Sequence, residues 1–254
     1  MKKAILAVSF GTGDAGAVQG CIRPVEDALR AAYPEYEVRR AFTSRIIVRR
    51  LRGQGIAVES EEEALARLRD EGFEEIIVVP THIIPGHEYE KVCAAARGCA
   101  VAEPLLCCED DLRWIAGILA EIAEAERRPL LMMGHGTDHA ADEIYARLRE
   151  SLHGNVFLAC IEGEHTLEKR MPQLEALPER ALTLMPLMLV AGAHAQRDLG
   201  GDGEDSWKSI LEARGFDVRV RLQGLGALGQ TAQRFVEKAG RAMASRENSS
   251  GSSA

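Results

Sequence analysis

Leu184-Met-Pro-Leu-Met-Leu-Val-Ala-Gly-Ala-His194 and Ile77-Val-Val-Pro-Thr-His-Ile-Ile-Pro-Gly-His-Glu88 are two versions of one pattern. Each opens on a short apolar run, as expected of a strand buried on both faces of a sheet. Each then passes through a proline and a glycine to a side chain able to move protons or bind metal. Pro80 aligns with Pro186, Gly86 with Gly192 and Glu88 with His194, all 106 residues apart. The later run is expected to be a strand over 181–190 that continues out through Gly192 and delivers His194 at its carboxyl end. Two equivalent strand ends would then present a carboxylate and an imidazole, the pairing used by divalent metals and proton transfer.

Outward from these two runs, strand and helix signals alternate along the chain. In the first part, strands are expected at 4–9, 37–42, 75–80 and 100–106, with helices at 18–32, 44–52, 60–70, 88–97 and 110–125. Ser60-Glu-Glu-Glu63 reads as a capping box opening one of these helices. The pattern then restarts, with strands at 129–133, 155–161, 181–190 and 217–222. Helices are expected at 138–152, 166–177, 204–214 and 227–244. Ser9-Phe-Gly-Thr12 resembles Gly134-His-Gly-Thr137, each just after the first strand of its part. The reading is an α/β fold of two similar halves, 1–127 and 128–245. Each half is a parallel four-stranded sheet flanked by helices, with the active-site cleft between them. The polar stretch 246–254 is expected to be a disordered tail.

Composition narrows the function. The 254 residues carry a formal net charge of -8, which argues against general nucleic-acid binding. The six cysteines form no CxxC and read as reduced, buried thiols, which suits a reducing compartment. No apolar run approaches the ~18 residues of a membrane span. The opening Met1-Lys-Lys-Ala-Ile-Leu-Ala-Val lacks a cleavage signal and reads as a first strand. A cytoplasmic protein with no membrane partner is expected.

Three strands of the second half lead into His135, Glu162 and His194. Two imidazoles and a carboxylate suit a divalent transition metal with open positions. Glu164 and His165 compete with Glu162, and spacing does not choose among them. Glu88 is the counterpart of His194 and could exchange protons. His82 aligns with apolar Met188 and is expected to be partly buried. His87, His139 and His153 are expected at the surface. Arg39, Arg40, Arg45, Arg49, Arg50 and Arg52 form either a solvated face or a clamp for ligand carboxylates. Gly11-Thr-Gly-Asp14 is not a phosphate loop, since neither GK[ST] nor GxGxxG follows.

Several of these stretches together resemble the ATP-independent class II chelatases, specifically the sirohydrochlorin cobaltochelatases of the anaerobic cobalamin pathway. They are Ser9-Phe-Gly-Thr, the segment from His82 to Glu90, Gly134-His-Gly-Thr, Ile161-Glu-Gly, and the run from Met185 through His194 to Lys208. The resemblance implies Co²⁺ as substrate metal, a sirohydrochlorin-type tetrapyrrole (sirohydrochlorin or precorrin-2) as partner, and no nucleotide; a homo-oligomer is expected. It implies His135, Glu162 and His194 as the metal site. His135 would also accept pyrrole protons, with Glu88 as an accessory acid–base group. Phe10, Arg45, Arg49 and His82 would contact the substrate. Sirohydrochlorin ferrochelatase, and a tetrapyrrole or metal carrier without turnover, are the competing readings. One departure is visible: Ala193 stands where the family often has an acidic residue.

Overall fold

The computed structural model describes residues 1–192 and 195–251, with side chains through 246. In chain order the first strands and helices are β1 (Lys2–Ser9), α1 (Ala15–Ala17), α2 (Arg23–Ala32), β2 (Glu37–Phe42), α3 (Arg45–Gly53), α4 (Glu61–Asp70), β3 (Phe73–Pro80), α5 (His87–Ala95), β4 (Ala100–Val101) and α6 (Glu109–Glu126). They are followed by β5 (Leu130–Gly134), α7 (Glu143–Ser151), β6 (Val156–Cys160), α8 (Leu167–Glu175), β7 (Ala181–Pro186), α9 (Trp207–Glu212), β8 (Asp217–Val220) and α10 (Gly229–Gly251). Two four-stranded sheets result, ordered β2-β1-β3-β4 and β6-β5-β7-β8, and every pairing is parallel. The α/β class and the two similar halves are as expected. Among the described residues no helix is long and apolar enough to cross a membrane.

The duplication is exact enough to match single hydrogen bonds. Thr81 N–H donates to Val8 C=O and Leu187 N–H donates to Met133 C=O, both at 2.8 Å. Leu105 N–H reaches His82 C=O at 2.9 Å, and Leu225 N–H reaches Met188 C=O at 2.8 Å. Thus β3 corresponds to β7, as the alignment of Pro80 with Pro186 required.

The division of the chain differs from the expected boundary at 127. One unit is Met1–Leu105 together with everything from Gly226 onward; the other is Leu106–Leu225. Helix α6 therefore belongs to the second unit. It buries Leu112, Ile115, Ile118, Leu119 and Ile122. Its Glu126 also pairs with Arg219 at 3.2 Å and Arg221 at 3.1 Å, on and beside β8. Helix α10 returns to the first unit, where Phe235 and Ala239 are fully buried. Tyr33 Oη donates to Val236 C=O at 3.0 Å. A Cβ on Gly240 would stand 2.8 Å from that Tyr33 oxygen, so the helices meet at a glycine. Helix α10 is described to Gly251, past the expected end at 244 and into the stretch expected to be a disordered tail; 252–254 lie outside the described residues.

In the first unit the core gathers Leu6, Val8, Leu65, Leu68, Val78 and Val92 between the sheet and its helices. In the second it gathers Leu131, Met133, Leu167, Leu174, Leu184 and Trp207. The strand expected to reach 190 stops at Pro186. Proline has no N–H with which to continue the ladder, and the chain leaves the sheet after it, bending at 188–190. His194, expected to follow this strand, lies outside the described residues.

Candidate active site

In the second unit the loops after β5 and β6 are zipped together beyond the sheet. Ile161 N–H donates to Gly134 C=O and Glu162 N–H to His135 C=O, both at 3.0 Å. This close approach depends on Gly136. Its φ is +81°, and a Cβ there would lie 1.9 Å from the Glu162 carbonyl oxygen. The result brings His135 Nδ1 to 3.3 Å from Glu162 Oε1, with side chains 47% and 58% exposed. His135 Nδ1 also lies 3.1 Å from Gly136 C=O. A proton on Nδ1 puts the lone pair on Nε2, the atom a divalent cation takes.

The scaffold under this pair is polar and buried. Asp142 accepts from Thr137 N–H at 3.3 Å and Glu164 N–H at 3.5 Å, tying the two loops a second time. Burial pushes the Tyr145 phenol well above its usual range, and backbone groups of Gly136 and His135 hydrogen-bond to it. No signal in the sequence marked Asp142 or Tyr145 for these places.

The structure separates the three competitors at this strand end. Glu164 is exposed and pairs with Lys169 at 2.8 Å, which holds its carboxyl below the ordinary value. His165 points inward, with Arg149 Nη1 against its Nδ1 and Asp142 Oδ2 3.8 Å from its Nε2. Burial and the Arg149 charge push its pKa down. Of the three, Glu162 is the residue beside His135.

The first unit repeats the zipped loops with different side chains. Thr43 N–H donates to Ser9 C=O at 2.9 Å and Ser44 N–H to Phe10 C=O at 3.1 Å. Gly11, at φ +99°, lies so close to the Phe42 ring that a Cβ would come within 2.7 Å. Phe10 thus occupies the place of His135, and Ser44 that of Glu162. Phe10 is 51% exposed, an open ring at a strand end. Glu88, near the start of α5, pairs with Lys91. Burial raises the Glu88 pKa, but the Lys91 ammonium outweighs this and leaves it below the ordinary value. The Glu88–Lys91 spacing of three residues was a readable helix-pair signal. His82 is partly buried as expected, and burial pushes its pKa down to about 4.

The arginine run proves to be divided. Arg39 pairs with Glu37 and Glu71, Arg40 with Glu26, and Arg52 with Glu63. Arg45 Nη2 is held by Glu61 at 3.1 Å and Glu62 at 2.9 Å. Among the described residues Arg49 and Arg50 have no such partner and are exposed. A groove of about 1040 Å³ in this unit is lined by Phe42, Ile56 and paired arginines including Arg40 and Arg52, and Phe10, Arg45, Arg49, His82 and Glu88 do not border it. The donor geometry at His135 and Glu162, rather than this groove, makes the candidate site.

The cysteines are all free, but only Cys21 and Cys160 are buried as expected; the other four are half-buried. Cys107, Cys108 and Asp111 bring three ligand atoms within 4.8 Å of one another. Asp111 accepts there from the Cys107 N–H at 3.0 Å and the Cys107 thiol at 3.2 Å.

The model of the family described as "Cobalt chelatase (CbiK)" matches residues 3–244. The sirohydrochlorin cobaltochelatase of Salmonella typhimurium is 34% identical over 239 residues, covering 89% of this chain and 90% of that protein. The sirohydrochlorin cobaltochelatase CbiKC of Nitratidesulfovibrio vulgaris is 34% identical over 238 residues, covering 88% of this chain and 84% of that protein.

Proposed function

The chain belongs to the cobalt chelatase (CbiK) family, and from that premise we propose that it inserts Co²⁺ into sirohydrochlorin without nucleotide. The observation that carries the reading is the open His135–Glu162 pair, with Nδ1 and Oε1 3.3 Å apart. An imidazole and a carboxylate suit a borderline divalent ion, and their exposure lets the ion arrive and leave. His194 completes the metal site as a third ligand. His135 and Glu88 take up the two protons that the pyrrole nitrogens lose as the metal enters the ring. Phe10 offers a face to the macrocycle, and His82, with both ring nitrogens buried, borders the substrate only through the rest of its surface. Arg49 meets a peripheral carboxylate; Arg45 does so only by loosening its hold on Glu61 and Glu62. The enzyme works in the cytoplasm as a homo-oligomer.

The test mixes purified protein with sirohydrochlorin and limiting Co²⁺, without nucleotide, and follows the visible spectrum, with Fe²⁺ and Ni²⁺ run alongside. Many turnovers with Co²⁺, lost in Glu162→Gln, are expected. Faster turnover with Fe²⁺ would reassign the metal. A stoichiometric shift without turnover would make the protein a carrier, and no spectral change would sink the substrate assignment.

A further inference from the structure

The duplication provides a control for each position of the first unit. Isolated parallel bridges join Phe42 to Ser60 and Cys160 to Thr166, so Glu61 corresponds to Leu167. The loop hydrogen bonds pair Thr43 with Ile161, and those beyond β3 and β7 pair His82 with Met188. In the second unit Ile161, Leu167 and Met188 belong to one apolar cluster. This fold therefore accepts hydrophobic side chains at all three places. In the first unit the same places hold a hydroxyl, a carboxylate and an imidazole.

These groups are also unsatisfied. Thr43 and Glu61 are each only 2% exposed. Thr43 Oγ1, Glu61 Oε2, both His82 ring nitrogens and Glu88 Oε2 are buried without a hydrogen-bond partner. The Thr43 hydroxyl lies close enough to Glu88 to help lower its pKa, though neither Thr43 Oγ1 nor Glu88 Oε2 makes a full hydrogen bond. Buried polar groups are almost always paired, with protein or with ordered water.

We propose that these atoms enclose ordered water linking Glu88 to Glu61, and that Glu61 receives the proton that Glu88 takes from the macrocycle. The inference rests on the reading of Glu88 as a proton acceptor. Lys91 occupies Glu88 Oε1, which leaves Oε2 for the proton. Once protonated, Oε2–H donates to the water, and the water gives its own proton to Glu61 Oε2. Glu88 returns to carboxylate, Glu61 becomes a neutral carboxyl, and the water is regenerated. Burial raises the Glu61 pKa above its ordinary value, whereas Lys91 pulls that of Glu88 below it, so the transfer runs downhill. His82, neutral near pH 7, offers a donor and an acceptor to the same water. Neutralising Glu61 weakens its pair with the half-exposed Arg45, opening a way for the proton to leave.

The test compares initial rates of Co²⁺ insertion across pH, with Co²⁺ affinity and KM, in four forms of the full chain. These are Glu88→Gln, Glu61→Gln, Thr43→Val, and the combined Thr43→Ile, Glu61→Leu and His82→Met, which copies the second unit. Glu88→Gln should lower kcat about a hundredfold, the lower end of what a positioned proton acceptor contributes. Glu61→Gln and Thr43→Val should each lower kcat about tenfold, less than direct proton transfer is worth. Their KM and Co²⁺ affinity should stay within twofold of the parent by rough expectation for groups remote from the metal. Glu61→Gln should also remove the acid limb of the pH profile and the infrared carbonyl band of a buried carboxylic acid seen on mild acidification. The combined variant should resist denaturant at least as well as the parent while turning over slowly, because apolar residues replace unpaired polar ones. Parent-like kcat and pH profiles in Glu61→Gln and Thr43→Val, with Glu88→Gln slow, would overturn the relay alone. A parent-like rate in Glu88→Gln would overturn the Glu88 reading and the relay together.

Discussion

Gly136→Ala tests whether the site is built by the approach of two loops. At φ +81° an alanine is strained by about 1–2 kcal/mol. Its Cβ would also start 1.9 Å from the Glu162 carbonyl oxygen, where real contacts stay beyond 3.0 Å. The Glu162 peptide must therefore retreat by about 1 Å, which breaks its 3.0 Å hydrogen bond to His135 C=O. That bond is worth about 1 kcal/mol. The total is about 2–3 kcal/mol lost. Gly154, in the same unit, provides the reference. It has φ +67° with nothing within 4 Å of a built Cβ, so Gly154→Ala carries only the conformational penalty. Urea unfolding of both variants, followed by circular dichroism, should give Gly136→Ala the lower midpoint by the equivalent of about 1 kcal/mol or more. Co²⁺ titration should show weakened binding in Gly136→Ala and parent-like binding in Gly154→Ala. Equal midpoints and equal Co²⁺ affinities in the two variants would refute the claim that Gly136 brings His135 and Glu162 together.

Glu162→Ala should weaken Co²⁺ binding at least about tenfold, as loss of a metal's ligand or its orienting partner does, while Glu164→Ala leaves it unchanged; isothermal titration calorimetry decides. Stability should fall in acid because of His82. Its folded pKa of about 4 lies below the ordinary 6.5, so the unfolded chain binds the extra proton. Stability is then lost as pH falls from 6.5 toward 4, by up to about 1.4 kcal/mol per unit from this one group. His82→Met should flatten that slope in denaturant midpoints measured across the window, and an unchanged slope would count against a buried neutral imidazole. Cys160, buried and with its thiol pushed up to about 12, should escape alkylation by iodoacetamide in the native protein at pH 8; modified Cys160 in the peptide map would show that the loop beside it opens.

Much of the scaffold could be read from particular residues. The alignment of Pro80 with Pro186 carried topology as well as repetition, because a proline ends a parallel ladder. The Ser60–Glu63 capping box formed as its spacing required, with Ser60 N–H donating to Glu63 at 2.8 Å and Glu63 N–H donating to Ser60 Oγ at 3.3 Å. The exchange of α6 and α10 between units was not legible. An amphipathic stripe such as Leu112, Ile115 and Leu119 says that a face is buried, not which sheet buries it. Nor could Glu61 be singled out from Glu62 and Glu63. The capping box singles out Glu63 but does not separate Glu61 from Glu62, and the register of Phe42 with Ser60 accompanies the burial of Glu61. The choice among Glu162, Glu164 and His165 also waited on structure, since it depends on Asp142 and Arg149 holding His165 away.

The two units show how one backbone can separate two electrostatic tasks. On the proposed reading a metal-donating pair must be reachable and exchange its ion, and His135 and Glu162 stand half in solvent, where nearby water screens their charges. A proton acceptor needs an affinity set by its surroundings, and burial provides that by making neighbouring charges count for more. Glu88 and Glu61 lie in such surroundings, one drawn down by Lys91 and the other pushed up by burial. Had both tasks fallen to one loop pair, exposure for the metal would have weakened the very interactions that tune the carboxylates. Duplication removes the conflict: the zipped loops recur, while Ile161, Leu167 and Met188 give way to Thr43, Glu61 and His82, and a core contact becomes a polar one.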